Sequence, residues 1–205
     1  MYSHATEPNK PRHTLVIGFG NTLRSDDGAG PVVAKLLADR LAAEQASGVV
    51  ALAVIQLLPE LAENISRSKC VIFIDASVKV PVGRLDVGRI QSHRPEEHPS
   101  RLGHHETPER LLAICEKVFG DVPPAFVLAI GAASLELGSH LSRAVKPAVR
   151  ELANHLFEGL VRKGQNCSKP TPSWNPWHSP EAIHIWTNMC EAATVENPFI
   201  GKGII

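Results

Sequence analysis

Short apolar runs alternate along the chain with segments in which apolar residues recur at helical spacing. The runs at 13–20, 49–56 and 70–77 are almost continuously apolar and end in glycine or polar residues, which predicts three strands, the first and third of them buried. Segment 30–45 repeats apolar residues at helical spacing and has a proline in its first turn, which predicts a helix. The same reasoning predicts five further elements, namely a helix at 58–68, a strand at 83–91, a helix at 109–119, a strand at 125–133 and a helix at 139–163.

This alternation of strands and helices predicts an α/β fold. The sheet should be open, twisted and mostly parallel, with about five strands and helices on both faces. The strand at 83–91 has no crossover helix before it, so we expect it to pair antiparallel at an edge. In the last predicted helix, Ser139 is a candidate cap, and Pro147 predicts either a kink or a new helix start.

The pattern divides the chain into three parts. Residues 1–12 are polar and contain two prolines, which indicates a flexible arm, and residues 13–163 form the α/β domain. Residues 164–205 are rich in proline, contain all three tryptophans of the chain and show no clear period. We therefore expect a tail outside the main domain, either mobile or docked by its aromatic side chains.

Composition narrows the classes of partner and location. The formal net charge is zero, which argues against nucleic acid or an anionic membrane as the main partner. No apolar stretch approaches the ~18 residues of a membrane span, and the first residues carry no apolar signal segment. The four cysteines are widely spaced and form no CxxC pair, so a reducing cytoplasm is the expected location.

The loop after the first strand begins like a nucleotide-binding turn and then departs from one. Gly18 and Gly20 fit the start of a dinucleotide fingerprint, but Leu23 stands where the third glycine is required. Asp26 and Asp27 would repel the phosphates that such a loop binds. No lysine of a phosphate-binding loop follows, so we expect no nucleotide cofactor.

Two interpretations of the aspartate pair remain. Either residue is a good helix cap, but capping does not explain two adjacent carboxylates. Alternatively they act with Asp75, which ends a buried strand, because the carboxyl ends of parallel strands meet at one edge of a sheet. Asp27 and Asp75, with an imidazole from His104 or His105, would form an incomplete shell that suits a divalent first-row metal with open positions. Asp75 as a structural carboxylate and the histidines as an ordinary polar loop stay open as alternatives.

Four segments of the chain resemble the hydrogenase maturation endopeptidases, in the order of that family. They are GFGNTLRSDDGAG (18–30), QLLPELAE (56–63), VIFIDAS (71–77) and HHETPERLLAI (104–114). The resemblance covers about residues 13–163. Leu58 departs from it, because a polar residue often precedes PELA in the family, and this changes the expected cleft.

The resemblance implies an activity and a metal. Such enzymes remove a short C-terminal extension from the large-subunit precursor of a nickel–iron hydrogenase after nickel insertion. Transferred to this chain, the residues that contact nickel are Asp27, Asp75 and His104, with His105 as the alternative. Asp27 and Asp75 are also the candidate catalytic carboxylates. Nickel would be supplied by the substrate, and the precursor would be the partner.

Other residues of these motifs have supporting roles in this interpretation. Asp26 would shape the loop or its charge, and Asn21 would hold the loop through backbone hydrogen bonds. The glycines would permit a tight turn and the close approach of a substrate backbone, and they are Gly18, Gly20, Gly28 and Gly30.

Two more residues and two broader questions stay open at this point. Gln56 and Glu60 either line the same cleft or are an ordinary strand end and a helix-surface glutamate. No Ser-His-Asp pattern or HExxH motif is present, so hydrolysis by a water held by metal or carboxylate is the expected chemistry. The alternative function is a non-catalytic binding or metal-handling module for the precursor. The oligomeric state is left open, with a monomer as one option.

Overall fold

A computed structural model describes residues 13–92, 106–162 and 180–193 of the 205-residue chain. Its strands are β1 (His13–Phe19), β2 (Val49–Val54), β3 (Ser68–Ser77), β4 (Leu85–Ile90) and β5 (Ala125–Gly131). Its helices are α1 (Ala29–Ala43), α2 (Leu61–Ser66), α3 (Pro108–Phe119), α4 (Val145–Val161) and α5 (Pro180–Ala193). A 3-10 helix, Ser25–Gly28, leads directly into α1.

The strands form one sheet in the order β2-β1-β3-β5-β4. The pairs β1–β2, β1–β3 and β3–β5 are parallel, whereas β4 pairs antiparallel with β5 at the edge. The antiparallel edge strand follows from the connection, because only a short turn joins β3 to β4 and a parallel return needs a longer crossover. The predicted fold class and the predicted edge strand are both confirmed.

Apolar side chains cover both faces of the central strands, which is why these strands lack a polar alternation. Val16 and Ile72 belong to the cluster that α1, α4 and α5 close from one side. Ile17 and Phe73 belong to the cluster that α2 and α3 close from the other side. The helices therefore lie on both faces of the sheet, as predicted.

Helix α4 begins later than the apolar pattern suggested. It starts at Val145 after an Ala144 that makes no side-chain cap, so the predicted start at 139 and the Ser139 cap are wrong. Pro147 is the third helical residue, within the first turn, where its missing N–H removes no helical hydrogen bond. Of the two options for this proline, the new helix start is correct.

Helix α5 was not predicted, and it packs on the same core cluster as α1 and α4. Trp186, Met189 and Cys190 are buried in it, and the Thr14 hydroxyl donates a 2.6 Å hydrogen bond to the Ala193 carbonyl oxygen. The aromatic docking that was one option for the tail therefore describes this helix. The arm at 1–12 and residues 163–179 and 194–205 lie outside the described residues, so the boundary at residue 163 stays a prediction.

The core closes without a disulfide in the described ranges. Cys70, Cys115 and Cys190 are each buried, and none of them is bonded to another cysteine. Among the described helices, none combines the length and the apolar character that a bilayer crossing requires.

Candidate active site at the carboxyl edge of the sheet

Two loops bring Asp27 and Asp75 together at the carboxyl edge of the sheet. Asp27 lies in the 3-10 helix after β1, and Asp75 lies near the end of the neighbouring strand β3. The start of α1 packs closely against the end of β3, since a Cβ built on Gly30 would lie 2.3 Å from the Ile74 carbonyl oxygen. As a result, the negative charge of Asp27 acts on Asp75 and raises its pKa.

Asp75 is the more strongly perturbed of the two carboxylates. Its pKa is raised to about 6, chiefly by burial, while the N–H of Ala76 opposes the increase through a 2.8 Å hydrogen bond and the charge of Asp27 adds to it. Because side chains alternate along a strand, Asp75 faces the same side as Val71 and Phe73, where α2 and α3 pack. A buried carboxylate beside another carboxylate is stabilised by a proton or by a cation.

Asp27 is oriented by its own loop. Its Oδ2 accepts a 2.8 Å hydrogen bond from the N–H of Asn21. The Asn21 Oδ1 in turn accepts a 2.9 Å hydrogen bond from the N–H of Leu23, which is the loop-holding role predicted for it. The side chain of Asp27 is therefore fixed in a partly buried position rather than left free in solvent.

Asp26 has a different task from its neighbour. It is fully buried, and its carboxylate accepts hydrogen bonds from the N–H groups of Ala133 (2.9 Å), Ser134 (3.2 Å) and Ser142 (2.6 Å). Burial raises the pKa of Asp26, but these donors outweigh burial and hold the pKa below its ordinary value. The carboxylate thus clips the loop between β5 and α4 onto the first loop.

The capping interpretation of the aspartate pair is wrong. The N-cap residues of the 3-10 helix and of α1 are Arg24 and Gly28, and neither end has a side-chain cap hydrogen bond. Asp26 instead bonds to a distant loop, and Asp27 bonds back to the start of its own loop. Asp26 shaping the loop, as predicted, agrees with these contacts.

Backbone hydrogen bonds join the same two loops into one wall. The N–H of Ser25 donates to the Gly138 carbonyl oxygen at 2.7 Å, and the N–H of Gly138 donates to the Leu23 carbonyl oxygen at 2.9 Å. The Arg24 guanidinium donates to the Leu135 carbonyl oxygen at 3.1 Å. Together with the Asp26 clip, these bonds give the carboxylate pair a preorganised support.

The glycines of the first loop are needed for contacts within the chain. A Cβ on Gly18 would lie 2.0 Å from the Gly30 carbonyl oxygen, so β1 and α1 can pack only without a side chain there. Gly20 has φ +135°, and its Cβ would lie 2.0 Å from the Asp27 carbonyl oxygen. A further approach by a substrate backbone stays a prediction for these residues and for Gly28.

Gln56 and Glu60 lie in the connection after β2, at the same edge of the sheet as the carboxylates. Both side chains are exposed. Their position is compatible with lining a cleft and with an ordinary surface role, so both interpretations stay predictions.

The third predicted ligand cannot be placed. His104 and His105 lie outside the described residues, which resume at Glu106 just before α3. The N-terminus of α3 is at the carboxyl edge, because the helix returns the chain to the start of β5, and it packs on the face that Asp75 shares. Within 13–92, 106–162 and 180–193, no group of three or more histidine, cysteine or acidic side chains could hold a metal ion.

Glu106 is a candidate that sequence reasoning missed. Its Oε2 atom is shielded from solvent and has no hydrogen-bond partner in the described part of the chain, although the Arg110 Nε lies 3.4 Å away. Its position directly after the histidine pair could have identified it, but only the two histidines of that motif were considered as ligands. A carboxylate at this point adds a further acidic group to the same edge.

The fold is that of solved hydrogenase maturation proteases. The protease HycI from Thermococcus kodakarensis KOD1 is 19% identical, with a TM-score of 0.54 over 74% of this chain and 93% of that one. The endopeptidase HybD from E. coli is 22% identical, with a TM-score of 0.53 over 71% and 90%. The hydrogenase 2 maturation peptidase from Thaumarchaeota archaeon SCGC_AB-539-E09 is 25% identical, with a TM-score of 0.50 over 72% and 97%.

No protein-family model and no curated protein matches the chain. The likeness therefore rests on the fold, which the chain shares over nearly the whole length of these proteases. The resemblance stated from the sequence motifs is confirmed at this level.

Proposed function

We propose that this chain is a hydrogenase maturation endopeptidase. It removes the C-terminal extension of a nickel–iron hydrogenase large-subunit precursor after nickel insertion. The observation that carries the proposal is the convergence of Asp27 and Asp75 at the carboxyl edge of a sheet whose fold matches such proteases. In open α/β sheets, ligands commonly bind at the carboxyl ends of the strands. The position of the two carboxylates agrees with that rule.

Nickel belongs to the substrate in this proposal. Asp27 and Asp75 repel one another in a partly buried position, and a divalent cation between them would relieve that repulsion. His104, or His105 in its place, would complete three protein ligands and leave further positions to the precursor. Such a shell is weak by itself, so the metal arrives with the precursor and marks it as ready for cleavage.

The chemistry is hydrolysis of one peptide bond. A water molecule held by a carboxylate oxygen of Asp27 or Asp75 loses a proton to that carboxylate and attacks the carbonyl carbon. The proton then passes to the leaving amine as the carbon–nitrogen bond breaks. A bound nickel ion would supply positive charge that stabilises the negative oxygen of the intermediate. The N–H of Asn21 orients Asp27, and the Asp26 carboxylate tethers the loop that carries it, so Asp27 is held in position.

The test is incubation of the purified protein with a nickel-loaded large-subunit precursor, followed by intact-mass analysis. The wild type should release a short C-terminal peptide, and Asp27→Asn and Asp75→Asn should not. Asp39→Asn is the matched control, because this aspartate is exposed on α1, away from the carboxyl edge, and its carboxylate forms an ion pair with Lys35. Cleavage by both site variants at the wild-type rate would overturn the proposal.

The same assay separates the two histidines and the alternative function. Loss of cleavage in His104→Ala with retention in His105→Ala would assign the ligand, and the reverse result would assign the other residue. Stable binding of a competent precursor without any loss of mass would instead indicate a non-catalytic module. The cytoplasmic location stays a prediction from composition.

A further inference from the structure

Exposed aliphatic side chains are concentrated around the carboxylate pair. They follow the carboxyl ends of β1, β2, β3 and β5, or lie in the turn between β3 and β4. We call this set the apolar rim, and its members with their exposed fractions are Leu23 (64%), Ile55 (70%), Leu58 (46%), Val78 (68%), Val82 (48%) and Leu137 (88%).

Elsewhere on the described surface, exposed large apolar side chains are scattered. Leu36 lies on α1, Val50 on β2, and Val118 and Phe119 at the far end of α3. Single exposed apolar side chains are ordinary, but a set gathered at one edge indicates an interaction surface. The apolar rim lies at the same edge of the sheet as the loops that carry Asp27 and Asp75.

Two members of the apolar rim, Leu23 and Leu137, lie on loops that hydrogen bonds hold together. Leu137 precedes Gly138, whose N–H donates to the Leu23 carbonyl oxygen, so Leu23 and Leu137 lie on two loops joined by hydrogen bonds. The buried carboxylate of Asp26 also joins these two loops, because it accepts hydrogen bonds from the N–H groups of Ala133 and Ser142. A surface ordered in advance loses little conformational entropy on binding, which favours its use for docking.

Charge does not select the partner of this surface. Exposed charged residues between the rim positions carry both signs: Arg24, Lys79 and Arg84 are cationic, and Glu60 and Glu136 are anionic. Contact between apolar side chains is therefore the main way in which this edge can recognise a partner segment. A chain segment that reaches the carboxylates approaches the edge of the sheet at which the rim lies.

We propose that the apolar rim is the docking surface for apolar side chains of the precursor segment that carries the scissile bond. This inference rests on the proposed function, and it adds the chemistry by which the segment is recognised. The rim binds the extended chain on both sides of the cleaved bond, while the carboxylates act on the bond itself.

The experiment measures steady-state cleavage and precursor binding for rim variants. Leu23→Ser and Leu137→Ser should each raise KM and Kd about tenfold, because a lost leucine contact in a bound complex costs roughly 1.4 kcal/mol. The kcat should stay within twofold of the wild type. Val118→Ser is the matched control, since Val118 is exposed to the same 64% as Leu23 but lies at the end of α3.

Each outcome is informative about a different claim. A wild type that cleaves, with rim variants equal to it, would overturn the docking surface and leave the peptidase intact. Precursor binding that the rim variants weaken, without cleavage by the wild type, would support the rim and overturn the peptidase. Absence of both binding and cleavage would overturn both. Loss of self-association in the rim variants would assign the surface to a second copy of this chain and refute the proposal.

Discussion

Replacement of Asp75 by asparagine should stabilise the folded protein at neutral pH while it abolishes the proposed cleavage. Burial and the nearby charge of Asp27 make the ionised form of Asp75 unfavourable in the folded state. Asparagine has nearly the same shape as aspartate and carries no charge. Its side-chain oxygen can still accept a hydrogen bond from the N–H of Ala76. The variant therefore removes the free-energy cost of the buried charge and retains the hydrogen bond from the N–H of Ala76.

The magnitude follows from the pKa of Asp75. Folding raises it from 3.8 to about 6, a change of about two units. At 1.36 kcal/mol per unit, the ionised carboxylate costs about 3 kcal/mol of folding free energy at pH 8.

The sign of the pH dependence follows from proton binding. Between pH 3.8 and about 6 the folded state binds more protons at this site than the unfolded state, so the wild type loses stability as the pH rises through that window. The advantage of the variant should be complete at pH 8 and should vanish below pH 4.

The assay is urea unfolding of the wild type and Asp75→Asn at pH 8, 6 and 4, with a chelator present to exclude metal. The m-values should agree, so that the midpoint difference reports the free energy of unfolding. Asp39→Asn serves as the control, because its exposed ion pair with Lys35 should change stability by less than about 1 kcal/mol. A variant no more stable than the wild type at pH 8, or a difference that persists at pH 4, would refute the reasoning.

Three further predictions concern the parts of the fold that support the site. Asp26→Ala leaves three partly buried N–H groups without their acceptor and should cost ~3 kcal/mol in urea unfolding at pH 7. Because the pKa of Asp26 is lowered, this difference should shrink as the pH falls below 3.8 toward the folded-state pKa, and a constant difference would contradict the assignment. Trp186→Ala should cost ~3–5 kcal/mol if α5 is part of the core, and a loss under ~1 kcal/mol would show that it is not. Gly18→Ala should force α1 away from β1, detected as a lower thermal midpoint together with slower precursor cleavage, and an unchanged midpoint would count against the close packing.

The architecture was largely predictable because its signals are local. The runs at 13–20 and 70–77 form β1 and β3, which are apolar on both faces because they lie between two helical layers. The run at 49–56 forms β2 at the edge of the sheet, where Val50 is 39% exposed. The position of β4 followed from the absence of a crossover helix before it. The start of α4 was not predictable to the same accuracy, because apolar spacing continues before Val145 while the backbone does not become helical there.

The candidate site was predictable only in part. The placement of Asp27 and Asp75 at two strand ends followed from the order of the elements, since neighbouring parallel strands end at one edge. The sequence by itself also excluded a phosphate-binding role for the loop that contains Asp26, because two carboxylates there would repel phosphate. It left open whether that residue capped a helix or shaped a loop.

Only the tertiary structure decided the features that depend on distant contacts. The partners of Asp26 lie 107, 108 and 116 positions away, and no local pattern encodes such a pairing. Helix α5 joins the core through contacts with β3 and β4 and a hydrogen bond to Thr14 across 179 positions. The pKa of Asp75 depends on burial and on Asp27, which exist only after the chain has folded. Periodicity reports the environment of one segment, whereas packing and electrostatics depend on which segments meet.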